Sequence, residues 1–302
     1  MVENIALLPE FAAQYPFLWG SFLFLSGLAF GSFFNVVIHR LPLMMEQEWH
    51  AEGAQWAEEQ KDKGARIELP PAKPAVTLSQ PRSRCPHCGH QIAWYENIPV
   101  LSYLFLRGRC AECKKPISLR YPVVELVCAA LFAFCLGRDG LTATGFAWCG
   151  FSAALLALAL IDWDTTFLPD SITLPLLWAG LIASALQWTS VPLQQSLWGA
   201  VAGYMSLWLI FWAFKLATGK EGMGYGDFKL LAALGAWLGW QSLPLILILS
   251  SVVGAVVGIT LMLLRRHQQG NPIPFGPYLA MAGWIALIWG ESITRWYLQT
   301  LL

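Results

Sequence analysis

The chain has 302 residues, of which 56% are hydrophobic and 13% are charged, with a mean hydropathy of +0.51. Its 19 basic and 19 acidic residues cancel to a formal net charge of zero, so their distribution is informative and their total is not. This composition argues against two soluble domains and predicts an all-α polytopic membrane protein. The 16 tryptophans agree, because indole favours the membrane interface. A cleavable signal peptide is not expected, because residues 1–16 carry two acids and no base.

Eight apolar segments predict about eight transmembrane helices. A helix needs about 20 apolar residues to cross the roughly 30 Å of hydrocarbon in a bilayer, so the segment 228–240 is short for a full span. The predicted helices lie near residues 17–38, 122–137, 143–161, 171–188, 195–216, 228–240, 243–264 and 276–294.

A polar insert after the first helix divides the predicted chain into three parts. Residues 1–38 hold the first transmembrane helix with a short N-terminal tail, residues 39–121 form a small insert, and residues 122–302 form a seven-helix membrane domain. The basic pair His39-Arg40 is expected at a membrane interface. Within the insert, residues 45–68 contain seven acids against three bases and predict a helix, followed by a proline-rich linker to Pro81.

Basic residues predict the orientation of these helices, because short cytoplasmic loops are enriched in Lys and Arg. With eight spans, the insert, the 215–229 region and Arg265-Arg266 share one side of the membrane and carry 17 of the 19 basic residues. Only Arg138 and Arg295 lie on the other side. The insert is therefore predicted to be cytoplasmic, with both termini in the opposite compartment.

Four of the seven cysteines form two Cys-x-x-Cys pairs, Cys85 with Cys88 and Cys110 with Cys113. Four thiolates from two tight knuckles satisfy tetrahedral Zn²⁺ and leave no open position for a substrate, so the pattern predicts a structural zinc site in a zinc-ribbon-like insert. The alternative is a pair of disulfides, which a cytoplasmic location disfavours. His87 is expected to be exposed rather than a ligand. The other cysteines are interpreted as small hydrophobic residues: Cys128, Cys135 and Cys149.

Two acidic side chains at the ends of apolar segments predict an acid–base pair. Asp162 follows the apolar run 151–161, and Asp227 stands at the mouth of the run that begins at Phe228. An ionisable carboxyl group beside lipid is costly unless it faces protein or water. On the predicted topology both aspartates meet at one membrane face, where they can share a proton and act on a water and a peptide carbonyl.

A glycine loop precedes Asp227 and consists of Gly222, Gly224 and Gly226. Glycine tolerates backbone angles that other residues avoid and leaves room for a second backbone. The loop is therefore expected to bend sharply and to admit a peptide to Asp227. A phosphate-binding role is not favoured, because no strand precedes the loop and no Gly-x-Gly-x-x-Gly or Gly-Lys-Ser/Thr motif follows.

Other interpretations of the acidic residues stay open at this point. A single aspartate is more often a helix cap or a solvated interfacial residue, and Asp164 and Asp170 keep that interpretation. A transporter with an aspartate proton relay is one alternative function, although no internal repeat is apparent. A membrane-tethered zinc-ribbon module for nucleic acid is another, although acids accompany the bases of the insert, so no nucleic-acid partner is expected. Motifs of zinc metalloproteases and serine hydrolases are missing from the sequence.

Together these residues resemble the bifunctional type IV prepilin peptidases, membrane aspartyl proteases that also N-methylate their product. The resemblance covers nearly the whole chain. It is carried by the segments Gly31–Pro42, the paired Cys-x-x-Cys, Glu96–Pro99, Arg120–Pro122, Asp162–Asp170, Gly222–Lys229 and Pro274–Tyr278.

The resemblance implies that Asp162 and Asp227 are the catalytic pair, the second of them in the Gly-x-Gly-Asp signature of the family. It implies cleavage of a basic leader from prepilins or type II secretion pseudopilins, just after a glycine, at the cytoplasmic face of the bacterial inner membrane. It also implies N-methylation of the new N-terminal residue with S-adenosylmethionine, an activity associated with the cysteine-bearing insert. The acidic excess in 45–68 is a candidate for attracting the leader, although such faces are more often solvated surface.

Overall fold

The computed structural model describes residues 14–61, 75–264 and 273–301, and within these ranges the protein is all-α without a β-strand. The α-helices are, in chain order, α1 (Pro16–Lys61), α2 (Leu101–Phe105), α3 (Arg120–Asp139), α4 (Ala143–Thr165), α5 (Asp170–Ala185), α6 (Leu193–Thr218), α7 (Tyr225–Leu238), α8 (Leu243–Leu263) and α9 (Gly276–Leu301). Two 3₁₀ helices, Trp94–Asn97 and Trp240–Ser242, accompany them. Each of the eight apolar segments predicted from the sequence falls on one of these helices, and the all-α fold class is confirmed.

Five helices in the described part of the chain are long and apolar enough to cross a membrane. They are Phe17–Glu58, Arg120–Asp139, Ala143–Thr165, Leu193–Thr218 and Trp240–Leu263. Helices α5 and α7 have only 16 and 14 residues. At about 1.5 Å per residue, α7 is roughly 21 Å long, which is less than the thickness of the hydrocarbon layer. The count of eight spans therefore stays a prediction.

The chain divides into two compact units, Phe17–Ala133 and Phe134–Leu302 together with Met1–Pro16. The first unit contains α1, the cysteine-bearing segment and most of α3. The second unit contains α4 to α9 and both aspartates of the predicted pair. The division at residues 38 and 121 that the sequence suggested stays a prediction.

In the first unit, α1 continues well beyond the expected end of the membrane segment. It has 46 residues and contains Pro42, so Arg40 lies inside a helix and not at its end. A proline in a helix removes one backbone hydrogen bond. Near Pro42, side-chain contacts join α1 to the segment that follows it. Arg40 donates to the carbonyl oxygens of Thr77 at 2.9 Å and Pro81 at 2.6 Å. These contacts attach the cysteine-bearing segment to the side of α1.

The acidic stretch of the insert lies largely on this extension of α1. Glu46, Glu48, Glu52 and Glu58 are helical. Asp62, Glu68 and most of the expected proline-rich linker lie outside the described residues, as do Arg265 and Arg266.

In the second unit, α7 is the central helix and contacts α5, α6, α8 and α9. Every residue from Leu230 to Trp237 is buried, so the helix has no exposed face along these two turns. The Trp237 indole N–H donates to the carbonyl oxygen of Leu176 on α5 at 2.8 Å. The sequence suggested a short transmembrane segment here, and the structure shows an enclosed core helix.

Small residues allow α6 and α7 to pack with their backbones in contact. A methyl group placed on Gly199 would collide with the carbonyl oxygen of Gly235, and one on Gly203 would lie 2.5 Å from that of Leu231. Such close helix packing is typical of membrane proteins, where glycine and alanine let backbones approach. This contact fixes the position of α7, and with it the position of Asp227 near its N-terminus.

Candidate active site and metal cluster

Asp162 lies in the last turn of α4, and its side chain is held by another part of the unit. Only 4% of the residue is exposed. Its Oδ2 atom accepts a hydrogen bond from the backbone N–H of Gly276 at 2.9 Å. Gly276 is the first residue of α9, so Asp162 faces the N-terminal end of that helix, which favours negative charge.

Asp227 is the third residue of α7 and is also buried, with 8% of its surface exposed. Its backbone N–H donates to the carbonyl oxygen of Gly224 at 3.3 Å. The Asp227 carboxyl group lies close enough to that of Asp162 for the two to interact electrostatically. The structure therefore brings together two carboxyl groups that are 65 positions apart in the sequence.

Leu168 shows how the two aspartates come to one place. A methyl group on Gly226 would lie 2.7 Å from Leu168 Cβ, and a methyl group on Gly276 would lie 3.1 Å from Leu168 Cδ2. The residue before Asp227 and the residue that binds Asp162 therefore pack against the same leucine. This leucine is itself buried, in the connection between α4 and α5.

The glycines before Asp227 have ordinary backbone angles, and their predicted role in admitting a peptide stays a prediction. None of Gly222, Gly224 and Gly226 is among the residues with positive φ, so no unusual backbone angle requires glycine at these positions. Gly224 is the N-cap of α7, and Gly226 already belongs to its first turn. Gly222 lies against the ring of Phe214, with 2.9 Å available to an added methyl group. Close packing explains Gly222 and Gly226 better than loop flexibility does.

The other two aspartates of the acidic cluster lie apart from this pair. Asp164 is exposed. Asp170 is the first residue of α5, after the N-cap Pro169, and both of its carboxylate oxygens accept from Lys229 Nζ at 2.7 and 2.6 Å. Lys229 follows Asp227 by two residues, so this ion pair ties the N-terminal turn of α7 to α5.

Sequence reasoning missed Gly276 and Lys229 as residues that support the pair. Both residues lie in segments that carried the family resemblance, but neither a glycine nor a lysine indicates such a role by its residue type. Gly276 acts through its main-chain N–H, and a methyl group there would lie 2.7 Å from Asp162 Oδ2. Lys229 acts through a partner 59 positions away. The Pro-Phe-Gly-Pro run around Gly276 was the available signal.

The four predicted metal ligands come together in the first unit. The Sγ atoms of Cys85, Cys88, Cys110 and Cys113 all lie within 4.8 Å of one another. The Cys85–Cys113 and Cys88–Cys110 sulfur atoms are 3.8 and 4.0 Å apart. Tetrahedral zinc with Zn–S bonds of about 2.3 Å requires sulfur atoms about 3.8 Å apart, whereas a disulfide requires about 2.05 Å. The geometry fits a bound zinc ion and does not fit the disulfide alternative.

Each cysteine pair sits on a similar short hairpin. The N–H of Cys85 donates to His90 O, and the N–H of Cys110 donates to Lys115 O, both at 2.9 Å. The residue after each pair has positive φ, 74° for Gly89 and 58° for Lys114. His87 is exposed, as expected from the sequence. The repeated backbone geometry presents two thiols from each knuckle to one point.

An ion cluster joins the two knuckles to the segment between them. The ring nitrogens of His90 lie 3.1 Å from Glu96 Oε2 and 3.3 Å from Glu112 Oε2. Glu96 Oε2 also accepts from the N–H of Ala93 at 2.8 Å. The Ala93 N–H first, and His90 second, lower the pKa of Glu96. The three remaining cysteines are buried in helices, as expected: Cys128, Cys135 and Cys149.

Comparison with known proteins supplies an independent line of inference. A family model described as "Bacterial Peptidase A24 N-terminal domain" matches residues 25–138, and one described as "Type IV leader peptidase family" matches residues 149–259. A protein of Aeromonas hydrophila named "Prepilin leader peptidase/N-methyltransferase" is 55% identical to this chain, and the match covers 99% of this chain and 100% of the relative. No solved structure matches the chain.

Relatives with the same name occur in other bacteria. The protein of Pseudomonas aeruginosa is 51% identical, and the match covers 96% of this chain and 97% of the relative. The protein of Klebsiella pneumoniae is 57% identical, and the match covers 83% of this chain and 99% of the relative.

Proposed function

Because the chain belongs to the type IV leader peptidase family, we propose that it is an intramembrane aspartic endopeptidase that removes the leader from prepilins and N-methylates the product. The family resemblance noted from the sequence is confirmed by these matches. The names of the relatives agree with both activities and give no support to a transporter or a nucleic-acid-binding module. The observation that carries the aspartic mechanism is the meeting of Asp162 and Asp227, both buried, at one place in the second unit.

In the proposed mechanism the two aspartates act as a dyad with one shared proton. Two carboxyl groups that interact electrostatically do not readily ionise together, so in the proposed dyad one is protonated while the other carries the charge. The ionised member takes a proton from a water molecule, whose oxygen attacks the scissile carbonyl carbon. The protonated member donates a hydrogen bond to the carbonyl oxygen and stabilises the negative charge that develops there. Proton transfer to the leaving nitrogen then breaks the C–N bond.

The backbone of Gly276 acts as a positioning group in this scheme. Its N–H holds one oxygen of Asp162, which leaves the second oxygen to face the water and the partner aspartate. The dyad titrates as a unit, so the roles of base and acid belong to the pair.

The decisive experiment measures cleavage of a co-expressed model prepilin by wild type, Asp162→Asn and Asp227→Asn. Loss of acid–base catalysis costs about 10²–10⁴-fold, and we expect each variant to lose at least the lower value. Asp164→Asn is the matched control, because Asp164 is an exposed acid on the same helix. We expect it to retain cleavage within about threefold, since surface substitutions have small effects. Retained cleavage in either dyad variant would remove that residue from the mechanism.

The second proposed activity is transfer of a methyl group to the new N-terminal amine. S-adenosylmethionine would supply that group, as the methyltransferase name of the relatives suggests. Mass spectrometry of the same pilin product tests it, because one spectrum reports both loss of the leader and the mass of an added methyl group. A cleaved but unmethylated product from wild-type protein with sufficient donor would contradict this activity and leave the peptidase intact.

The cysteine cluster is proposed to hold structural zinc. Four cysteine ligands close the coordination shell, so the ion would stabilise the hairpins and take no part in peptide cleavage.

The aspartate dyad is proposed to work at the cytoplasmic side of the bacterial inner membrane. Support comes from the apolar helices and from the excess of basic residues in the regions predicted to face the cytoplasm. Prepilins or type II secretion pseudopilins, with a basic leader on an apolar helix, are the proposed substrates. An accessibility tag placed at residues 75–81 that reacted only from outside the cell would overturn this orientation.

A further inference from the structure

A short strip of apolar side chains is exposed in the cysteine-bearing segment. Trp94 is 76% exposed, Leu104 is 63% exposed and Phe105 is 84% exposed. Tyr95 and Leu101, in the same thirteen-residue stretch 94–106, are also exposed. This strip contains α2 and the 3₁₀ helix before it. So many large apolar groups on one short segment are unfavourable in water, and aromatic residues of this kind favour the membrane interface.

The start of α2 is fixed to the membrane helix α3. The N–H of Val100 donates to Glu125 Oε2 at 2.8 Å. Glu125 lies five residues inside α3, or about 8 Å along the helix from Arg120. Since α3 is only 20 residues long and qualifies as a span over its whole length, this level is close to the lipid boundary. The apolar strip therefore begins within about 8 Å of the lipid boundary, where its exposed side chains can reach the membrane interface.

The backbone of Val100, where α2 is attached to α3, has a conformation that is unfavourable for this residue type. Val100 has a φ of 59°, which is an outlier for a β-branched residue. Its neighbour in space, Glu125, is only 8% exposed, and α1 packs directly against it because a methyl group on Gly31 would lie 2.6 Å from Glu125 Cα. The packing of α1 and α3 therefore determines where α2 is placed.

Basic side chains lie next to the apolar strip. Arg107, Arg109 and Lys114 line one cleft of about 420 Å³ together with Phe105, Leu106 and Cys110. Lys114 Nζ also donates to the carbonyl oxygen of Ala111 at 2.7 Å. Among the described residues neither Arg107 nor Arg109 has an acidic partner. Cations beside an exposed apolar surface match an anionic phospholipid, whose phosphate and acyl chain are joined in one molecule.

We propose that residues 94–106 form an interfacial segment lying in the headgroup layer of the membrane, and that Arg107, Arg109 and Lys114 bind the phosphate groups of anionic phospholipids. The insert is thus a membrane-bound element and not a soluble domain that is merely connected to two membrane helices. The proposal depends on the membrane embedding of the protein and is independent of the chemistry of the aspartate dyad.

The test uses the full-length protein in nanodiscs of phosphatidylglycerol and phosphatidylcholine in equal amounts. The photo-crosslinking amino acid p-benzoylphenylalanine replaces Phe105, and mass spectrometry identifies what it captures. Trp56 is the matched control position, because it is 57% exposed and also aromatic. It lies on α1 about 37 Å along the helix from Gly31, far from the level of Glu125. We expect at least about tenfold more phospholipid adducts from position 105, since the headgroup layer lies within reach there and not at position 56.

The headgroup contact has its own test within the same experiment. Phosphatidylglycerol adducts should exceed phosphatidylcholine adducts at position 105. Combining Arg107→Gln, Arg109→Gln and Lys114→Gln should remove this preference, whereas Arg107→Lys with Arg109→Lys should keep it. Equal adduct yields at positions 105 and 56 would overturn the interfacial segment. Capture of a prepilin or a second copy of the chain in place of lipid would also overturn it, and an unchanged preference in the triple variant would overturn the phosphate contact.

Discussion

The aspartate site and the cysteine cluster are both ordered groups of side chains, but different parts of the fold hold them in place. Asp162 and Asp227 are placed by buried helices, and α7 is surrounded by protein over most of its length. The cysteines are placed by two short hairpins with little buried apolar surface, and of the four Cys85 and Cys110 are buried. Order at the first site comes from helix packing, which needs no ligand. Order at the second is proposed to depend on a zinc ion that binds all four thiols.

This difference predicts which perturbation each site tolerates. The dyad should respond to changes of a single methyl group in the helices around it, because packed interiors do not absorb added volume. The cysteine cluster should tolerate substitutions of its exposed residues but should fail when a ligand is lost.

Replacing Cys85 and Cys88 by serine should release zinc and unfold the hairpins. Structural zinc contributes an apparent 10–16 kcal/mol, about the scale measured in zinc-finger peptides, so no compensating contact is expected. Zinc content and limited proteolysis between residues 75 and 119 measure the result. His87→Ala is the control, because this exposed residue lies between the same two ligands. A metal-free variant with unchanged resistance to proteolysis would show that the cluster, like the dyad, is ordered by packing.

Gly276→Ala should slow peptide cleavage by about 10- to 100-fold, because misplacing a catalytic group by about 1 Å costs up to 10²-fold. The new methyl group would lie 2.7 Å from Asp162 Oδ2 and would displace the carboxyl group. We expect the effect in kcat, with KM nearly unchanged, since the contact concerns the dyad and not substrate binding.

Gly150→Ala is the control for this change. Gly150 is an exposed glycine of α4, and a methyl group there would have no atom within 4 Å. Equal losses of cleavage in both alanine variants would mean that the helices, and not the contact with Asp162, are responsible.

Lys229→Met should lower cleavage severalfold and stability by no more than about 1 kcal/mol, because partly exposed ion pairs contribute little. The side chains of Lys229 and Asp170 are 28% and 53% exposed. The activity effect is expected to be larger because Lys229 ties the first turn of α7 to α5. Lys215→Met breaks a comparable pair with Glu221, between α6 and the segment before α7, and should lower cleavage less. Identical activities for the two variants would show that the Lys229 contact does not position Asp227.

The smallest expected effect concerns pH. Because the folded pKa of Glu96 is lowered, its charge stabilises the folded hairpins above the unfolded pKa, and that contribution disappears as pH falls through the folded value. Wild type should therefore exceed Glu96→Gln in protection of the Ala93 amide near neutral pH, and the difference should vanish in acid. Hydrogen exchange is measured for the two proteins at the same pH values. Protonation of the cysteine thiols then affects both proteins equally and does not contribute to their difference. A difference that grew on acidification would contradict this sign.

The sequence predicted the helices better than their ends. All eight apolar segments are helical, since long apolar runs are a strong signal. The continuation of α1 to Lys61 was not predicted, because a proline and a change from apolar to acidic residues suggested a boundary. Along this continuation of α1, Arg40 and Gln47 form hydrogen bonds with residues 76–81. Contacts between residues so far apart in the chain leave no pattern in the local sequence.

The candidate side chains of the site are visible in the sequence, but the backbone contact that supports them is not. Asp162 and Asp227 stand out because carboxyl groups are rare in apolar segments. The cysteines stand out through their spacing. Gly276 contributes a backbone N–H, which every residue except proline has, so the sequence carries no mark of this contact.

The enclosure of α7 restricts how a peptide could reach Asp227 in the proposed mechanism. Displacing this helix would expose side chains such as Leu230, Leu231 and Leu234, each of which is fully buried, and every such residue would cost about 1.5–3 kcal/mol in water. If the helix were displaced into lipid instead of water, it would still lose its packing contacts with α6. We therefore expect α7 to stay in place, and we expect a peptide substrate to reach Asp227 through movement of the connecting segment before α7 or through unwinding of the substrate itself.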